Sequence, residues 1–449
     1  MRSLPTLFEL KPTEAFIISR GQVEPFKMQE ETKQPSIEVF DETPEWLNVE
    51  YFERVLQKVR DDTSLSVQSV EVKSAFPKGV NYASIIYRVR VIFHTKDKLT
   101  YSRSYIVKGM PEEGMAKQKL SEYNVHGKEM DIYQLVIPEL KQLMKSIGDR
   151  TDLYPTTLTI DRVKNVIVFK DLSSKGYIMA DRFVGLDMLH TKMSLKLMAK
   201  LHASSLKLAE MSPNIFKEYK TGMVTRETDA FYPLFYSNFD ALTEEISTWD
   251  QEWHYYANKL RKLRPFFIEQ GLSVFDHQRE DDLRVLVHSD LWVNNLLFKY
   301  DTNGKPVDVI LLDFQFCCYS TPVVDLCYFF FTSTQDAIRQ NCFDELMQYY
   351  YYHLASYVKK LNCSKKFPTL HEFQRHVLKK LFYAIYSSFI ALPVQINEDV
   401  ADADFEALLG NDERAQRYRR TIMSNKKYHK IIKGLLPTFD RKGLLDKLD

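Results

Sequence analysis

His288-Ser289-Asp290-Leu291-Trp292-Val293-Asn294-Asn295, followed by Val309-Ile310-Leu311-Leu312-Asp313-Phe314-Gln315, is the part of the chain that decides its fold. The first stretch has the spacing H-x-D-x-x-x-x-N directly after the apolar run Leu283 to Val287, and the second ends an apolar run on an acid. Short apolar runs bounded by polar clusters predict buried strands. Between them, Leu296 to Tyr300 and Val307 to Leu312 flank Asp301-Thr302-Asn303-Gly304-Lys305-Pro306, whose composition predicts a hairpin turn. Both polar sets are expected to emerge from one edge of a small sheet.

Those residue types in that order suit phosphoryl transfer. The reaction needs a carboxylate to orient and deprotonate an attacking hydroxyl, and oxygen ligands for magnesium beside the phosphates. Asp290 suits the first task, Asn295 and Asp313 the second, and His288 is expected to hold the loop by hydrogen bonds. Each piece alone has an ordinary explanation: H-x-D occurs in turns and helix caps, and strands commonly end on an acid. Their succession, each after an apolar strand, favours the catalytic reading.

Upstream, Tyr87, Val89, Val91 and Phe93 alternate with Arg88 and Arg90, and Tyr101 to Lys108 alternates likewise, which predicts an antiparallel hairpin with one wet face. A possible strand at Val67 to Val72 precedes it, and Thr156 to Ile160 with Val166 to Phe169 predicts a further hairpin. A single helical stretch is expected from Gln118 to Ile147. Lys108 ends its strand, and Glu129 on the following helix is placed to pair with it and fix a cation for the ATP phosphates, although solvated Lys and Glu residues are common at such positions. Gly79 and Asn81 lie in a turn, Pro77 to Ser84, whose backbone N–H groups are candidates to cover phosphates; with one glycine it reads equally as a plain hairpin turn.

Thr43 to Arg60 is helical, with Leu47, Tyr51, Val55 and Val59 on one face. After the connector Asp171 to Gly176 the chain becomes mainly helical, with Met193, Leu197 and Leu201 forming a buried stripe beside Met198. The expected organisation is an arm over residues 1–42, a small mixed lobe over 43–172 and a larger, mainly helical lobe over 173–449, an α+β architecture. With 449 residues, 45% hydrophobic and 27% charged, the chain is long enough for two such lobes.

Sixty-one basic against 60 acidic residues leave a net charge of +1, so no overall field draws the chain to nucleic acid or an acidic membrane. The basic run from Arg414 to Lys433 reads as a solvated helical face. Five cysteines, an odd number without C-x-x-C, favour reduced thiols over disulfides or zinc. No stretch reaches the roughly 18 apolar residues of a membrane span, and a soluble, cytoplasmic protein is expected. Tyr349 to Tyr352 and Phe329 to Phe331 read mainly as packing, and His202 as a hydrogen-bonded core histidine.

His288 to Phe298 resembles the H-G-D-L-W-x-N-N-L-L-F motif of the ecdysteroid kinase-like family of arthropods, which is related to choline kinases and aminoglycoside phosphotransferases. Asp313-Phe314-Gln315 is similar to that family's D-F-Q, and Pro322 to Leu326, Asp171-Leu172, Leu201 to Ser204, Ile106 to Lys108 and Glu129 with Tyr133 extend the likeness. The resemblance implies a protein-kinase-like two-lobe fold with a small antiparallel-sheet N-lobe. It implies Asp290 as catalytic base, Asn295 and Asp313 as metal ligands, Lys108 on phosphate, Glu129 positioning it, and Asp325 bracing the catalytic loop. The implied reaction uses ATP and Mg2+ to phosphorylate a hydroxyl of an ecdysteroid or comparable lipophilic small molecule. Three departures stand out: Ser289 for glycine, to be accommodated by a negative φ, Lys170 for glutamate, and His126 for phenylalanine. Ser289, Lys170 and the 13% aromatic content motivate an alternative, a silent small-molecule-binding pseudokinase. A protein-serine/threonine kinase is disfavoured, since no A-P-E segment follows Asp313.

Overall fold

The alternation at Tyr87 to Phe93 builds the centre of a five-stranded sheet in a computed structural model, which describes residues 43–75, 84–111, 114–276, 282–399 and 402–447. These belong to one compact unit, Val39–Asp449. The strands are β1 (Ser66–Ser74), β2 (Ile85–His94), β3 (Thr100–Gly109), β4 (Thr157–Asp161) and β5 (Val166–Lys170), in the order β1-β2-β3-β5-β4 with every pair antiparallel. Tyr87, Val89, Val91 and Phe93 are buried and Arg88 and Arg90 exposed, as period two requires.

Helix α1 (Val49–Arg60) covers the buried face. Asn48 caps it by accepting the Tyr51 N–H at 3.0 Å, and Asp61, with φ 51°, ends it. Tyr51, Phe52, Val55 and Leu56 face the sheet, where Phe52 stacks on Tyr105 with ring centroids 5.7 Å apart. Val59, expected on this face, is 48% exposed. A four-residue step overshoots the helical turn by about 40° each time, so the stripe drifts off the core and Phe52 and Leu56 take its place.

The single helix expected over Gln118 to Ile147 is broken. It runs as α2 (Gly114–Glu122), α3 (Val125–Asp131), a π-helical turn Ile132–Val136, and α4 (Ile137–Ser146). Asn124, with φ 46°, separates α2 from α3. Pro138 explains the π turn: it has no N–H for the preceding turn, and its ring would strike the carbonyl four residues back.

The rest is mainly helical around a large apolar core. Helix α5 (Met188–Met211) is capped by Asp187 and buries Leu197, Met198 and Leu201. The two strand sets around the polar motifs lie in different sheets, contrary to the expected common edge. Strands β6 (Tyr177–Met179), β8 (Leu296–Tyr300) and β9 (Pro306–Leu311) form one sheet, while β7 (Val285–Val287) pairs with β10 (Cys318–Ser320). The β8–β9 hairpin forms as its turn residues predict, and carries the chain from one polar loop to the other.

In the basic run, Arg414 and Arg417 pair with Asp404 and Asp402, while Arg419 is buried and donates to the Gly410 carbonyl. The five cysteines are unpaired, and burial pushes the Cys318 thiol up to about 12. No single helix among the described residues is long and apolar enough to cross a membrane.

Candidate active site

The loop after β7 is held from behind by one carboxylate. Asp325, fully buried on the helix Val323–Ser333, accepts the His288 N–H through Oδ2 and the Ser289 N–H through Oδ1, each at 2.7 Å. His202 on α5 contacts the same Oδ2 at 3.0 Å through Nε2 and the Tyr350 hydroxyl at 2.6 Å through Nδ1. His288 Nε2 lies 2.6 Å from the Leu312 carbonyl, and that contact requires the N–H on Nε2. The Leu312 N–H donates to the Asn295 carbonyl at 3.0 Å, so the loops from the two sheets are tied together at their roots.

Two residues on these loops adopt left-handed backbone, Ser289 with φ 66° and Asp313 with φ 62°. The negative φ expected at Ser289 is therefore wrong: the position where the family has glycine does have a glycine-like conformation. An L-residue there costs about 1–2 kcal/mol, which the two charge-assisted bonds from Asp325 offset. Space for the serine side chain comes from Gly222, where a Cβ would lie 2.8 Å from Ser289 Oγ and 3.0 Å from Cys318 Sγ.

Asp290, Asn295, Asp313, Lys108 and Glu129 all line one cavity of about 600 Å³. Asn295 Nδ2 donates to the Asp290 carbonyl at 2.7 Å and to its Oδ2 at 3.1 Å. Tyr328 donates its hydroxyl to Asp290 Oδ1 at 2.8 Å and accepts from Gln395 Nε2 at 3.0 Å. Lys108 Nζ lies 2.7 Å from Glu129 Oε2 and 2.8 Å from Asp313 Oδ1, joining the sheet, α3 and the second loop. Glu129 Oε1 also accepts the Phe314 N–H at 3.2 Å.

The electrostatics follow from this enclosure. Burial raises the Asp290 carboxyl to about 7, assisted by the Asp313 charge and opposed by the bonds from Tyr328 and Asn295 and by the Lys108 charge. Burial alone would depress Lys108, but Asp313 and Glu129 outweigh it and hold the ammonium above lysine's ordinary value. His126 is lowered to about 4 by burial and is neutral; it meets the Asn165 carbonyl at 2.6 Å, a hydrogen bond phenylalanine lacks. Lys170 stands exposed on the cavity wall.

Of the residues singled out in the sequence, Lys108, Glu129, Asp290, Asn295 and Asp313 come together in the cavity, and His288 and Asp325 stand behind it. Gly79 and Asn81 lie outside the described residues. The oxygen donors of Asn295 and Asp313 fit a hard cation such as magnesium. Among the described residues no three His, Cys, Asp or Glu side chains gather as a metal site, so a cation here would complete its shell with phosphate oxygens and water.

Sequence reasoning missed Tyr328, Tyr386 and Gln395, and with them much of the cavity's apolar lining, which includes Phe231, Phe316, Ile390, Val394, Phe405 and Leu408. Tyr328 had a readable signal: it lies three residues after Asp325, on the same helical face. Among the tyrosine run, Tyr350 and Tyr351 are buried and Tyr352 exposed, and none lines the cavity.

A family model described as the ecdysteroid kinase-like family matches residues 78–363. A comparison with curated proteins finds no match.

Proposed function

Because the chain belongs to the ecdysteroid kinase-like family, we propose that it transfers the γ-phosphoryl group of ATP, with magnesium, to a hydroxyl of a small lipophilic acceptor. Family membership points to a kinase-type enzyme acting on a small molecule; the cofactors, the acceptor and the residue roles are our reading. The observation that carries it is that one cavity is lined both by Asp290, Asn295, Asp313 and Lys108 and by apolar side chains such as Phe231, Phe316 and Phe405.

In this reading Asp290 accepts the proton of the acceptor hydroxyl. The acceptor oxygen bonds to the γ-phosphorus, the bond from that phosphorus to the β–γ bridging oxygen breaks, and ADP leaves with the electron pair. Asn295 holds the base by its bond to Oδ2 and offers its amide oxygen to the cation. Magnesium bound by Asn295 and Asp313 supplies charge neutralisation for the phosphate oxygens. Lys108 has three N–H donors; Glu129 and Asp313 occupy two, which leaves one for a phosphate oxygen. The apolar wall excludes water, the competing acceptor, and selects a lipophilic alcohol.

The test is a screen of ecdysteroids, sterols and small plant-derived alcohols with γ-labelled ATP and magnesium, comparing native protein with Asp290→Asn. Label in one acceptor, dependent on Asp290, supports the proposal. A bound acceptor that never becomes labelled would instead favour a silent binding protein, the reading motivated by Ser289 and Lys170.

A further inference from the structure

A second cavity, of about 430 Å³, shares no lining residue with the first. It lies against the two-stranded sheet whose β7 leads into the loop with Asp290. Arg284 stands immediately before β7, and Tyr319 is the middle residue of β10, paired with Leu286. Phe216, Tyr219 and Lys220 border it as well, and the Tyr319 N–H joins that segment to β10 by donating to the Tyr219 carbonyl at 2.7 Å.

The lining is one-sided in charge. Lys217, Lys220, Arg284 and Lys365 line it, and no aspartate or glutamate among the described residues does. None of the four makes an ion pair with a described carboxylate. Glu210, whose charge reaches Tyr319, accepts the Ser364 and Lys365 N–H groups and pairs with Lys207 at 3.4 Å. Like charges gathered on one concave wall raise one another's energy and focus a positive potential into it, and an anion relieves both.

Arg284 is built into this wall. It is half-buried, its guanidinium carbon lies 4.8 Å from the centroid of the Tyr319 ring, and Nη2 donates to the Tyr319 carbonyl at 3.2 Å. Tyr319 in turn stacks on Phe216, with centroids 5.0 Å apart and planes 15° from parallel. The guanidinium is thus fixed on an aromatic support before any ligand arrives, which lowers the entropy cost of using it. Its terminal nitrogens carry further N–H groups beyond the one given to Tyr319, and phosphate oxygens suit them. The exposed ammonium groups of Lys217, Lys220 and Lys365 add charge for a ligand with more than one negative group.

We propose that this cavity binds a small soluble polyvalent anion of the phosphate class, gripped by Arg284 and balanced by the three lysines, at a site separate from the one that holds Asp290. Its volume falls in the range of small-molecule sites. The inference stands apart from the kinase reading, since it uses none of that cavity's residues.

The probe is inorganic pyrophosphate, titrated by calorimetry into the full chain with EDTA present and no nucleotide, with acetate as a singly charged comparison. The expected result is saturable binding of pyrophosphate and none of acetate. Arg284→Gln should weaken it by at least about 10-fold, and so should the double variant Lys217→Gln with Lys220→Gln, whose changes fall on exposed side chains that packing does not need. Absence of saturable binding by the native protein overturns the proposal, as does an equal response to acetate. Undiminished affinity in Arg284→Gln overturns it by placing the anion elsewhere, in the cavity with Lys108. A loss in Arg284→Gln with the lysine variant unaffected overturns it too, because the loss would then trace to packing on Tyr319.

Discussion

Removing one hydroxyl, in Tyr328→Phe, should move the pH at which the enzyme gains activity. Asp290 stands at about 7 because burial and the Asp313 charge outweigh three stabilising contacts, of which the Tyr328 bond at 2.8 Å is one. A hydrogen bond to a charged acceptor contributes about 1.5–3 kcal/mol, and at about 1.4 kcal/mol per unit its loss raises the carboxyl by about 1–2 units. A general base works deprotonated, so a higher pKa depletes it at fixed pH. At pH 7 the variant should lose roughly 5–50-fold in kcat/KM, recovering most of it by about pH 9. The assay is the pH profile of kcat/KM for both proteins on one acceptor. An acid limb at the same pH in both would refute the coupling of Tyr328 to the base, whatever the change in absolute rate.

Other substitutions probe the same network. Asp290→Asn should lower turnover by roughly 10²–10⁴-fold. The native carboxyl lies above the ordinary aspartate value of 3.8, so the folded state favours the proton, and that stabilisation is present below pH 4 and lost as pH rises through about 7. Above pH 7 the native protein therefore carries a penalty of at most about 4 kcal/mol that Asn removes, and urea unfolding should find the variant more stable at pH 8 but not at pH 3.5. Asp325→Asn leaves one carbonyl oxygen to serve two backbone donors and His202. It should cost roughly 3 kcal/mol in urea unfolding and reduce turnover; retention of native stability would remove Asp325 from its bracing role. Gly222→Ala should destabilise by about 1–3 kcal/mol through contact with Ser289 Oγ and Cys318 Sγ, and Ser289→Gly should rescue part of it while relieving the strained φ. Additive effects in that double-mutant cycle would show that the two positions do not share the space.

Much of the fold was legible because local pattern and tertiary environment agree. The period-two runs at Tyr87 to Phe93 and Tyr101 to Lys108 became adjacent strands, and the Asn303-Gly304 turn formed its hairpin. Reading failed where a backbone departs from a regular period. Nothing in Gln118 to Ile147 except Pro138 announces the π turn, and Pro393 stands in the same place after the second one, Ser387–Ala391. The common sheet edge failed for another reason: hydrophobic runs predict strands but not partners, and β7 finds β10 rather than β9. The polar cluster was readable because its residues follow strand ends in a set order. The apolar lining was not, since Phe231, Tyr328, Tyr386 and Phe405 come from segments far apart in the chain and look like ordinary core residues.

The claim beneath all of this is that the loops carrying Asn295 and Asp313 hold one divalent cation together with ATP. Manganese, a paramagnetic stand-in for magnesium, reports this by electron paramagnetic resonance without need of an acceptor. The account predicts ATP-dependent manganese binding in the native protein, with the bound signal lost in Asp313→Asn and weakened in Asn295→Ala. Manganese bound equally well in both variants, or bound by the native protein with no dependence on ATP, would contradict it.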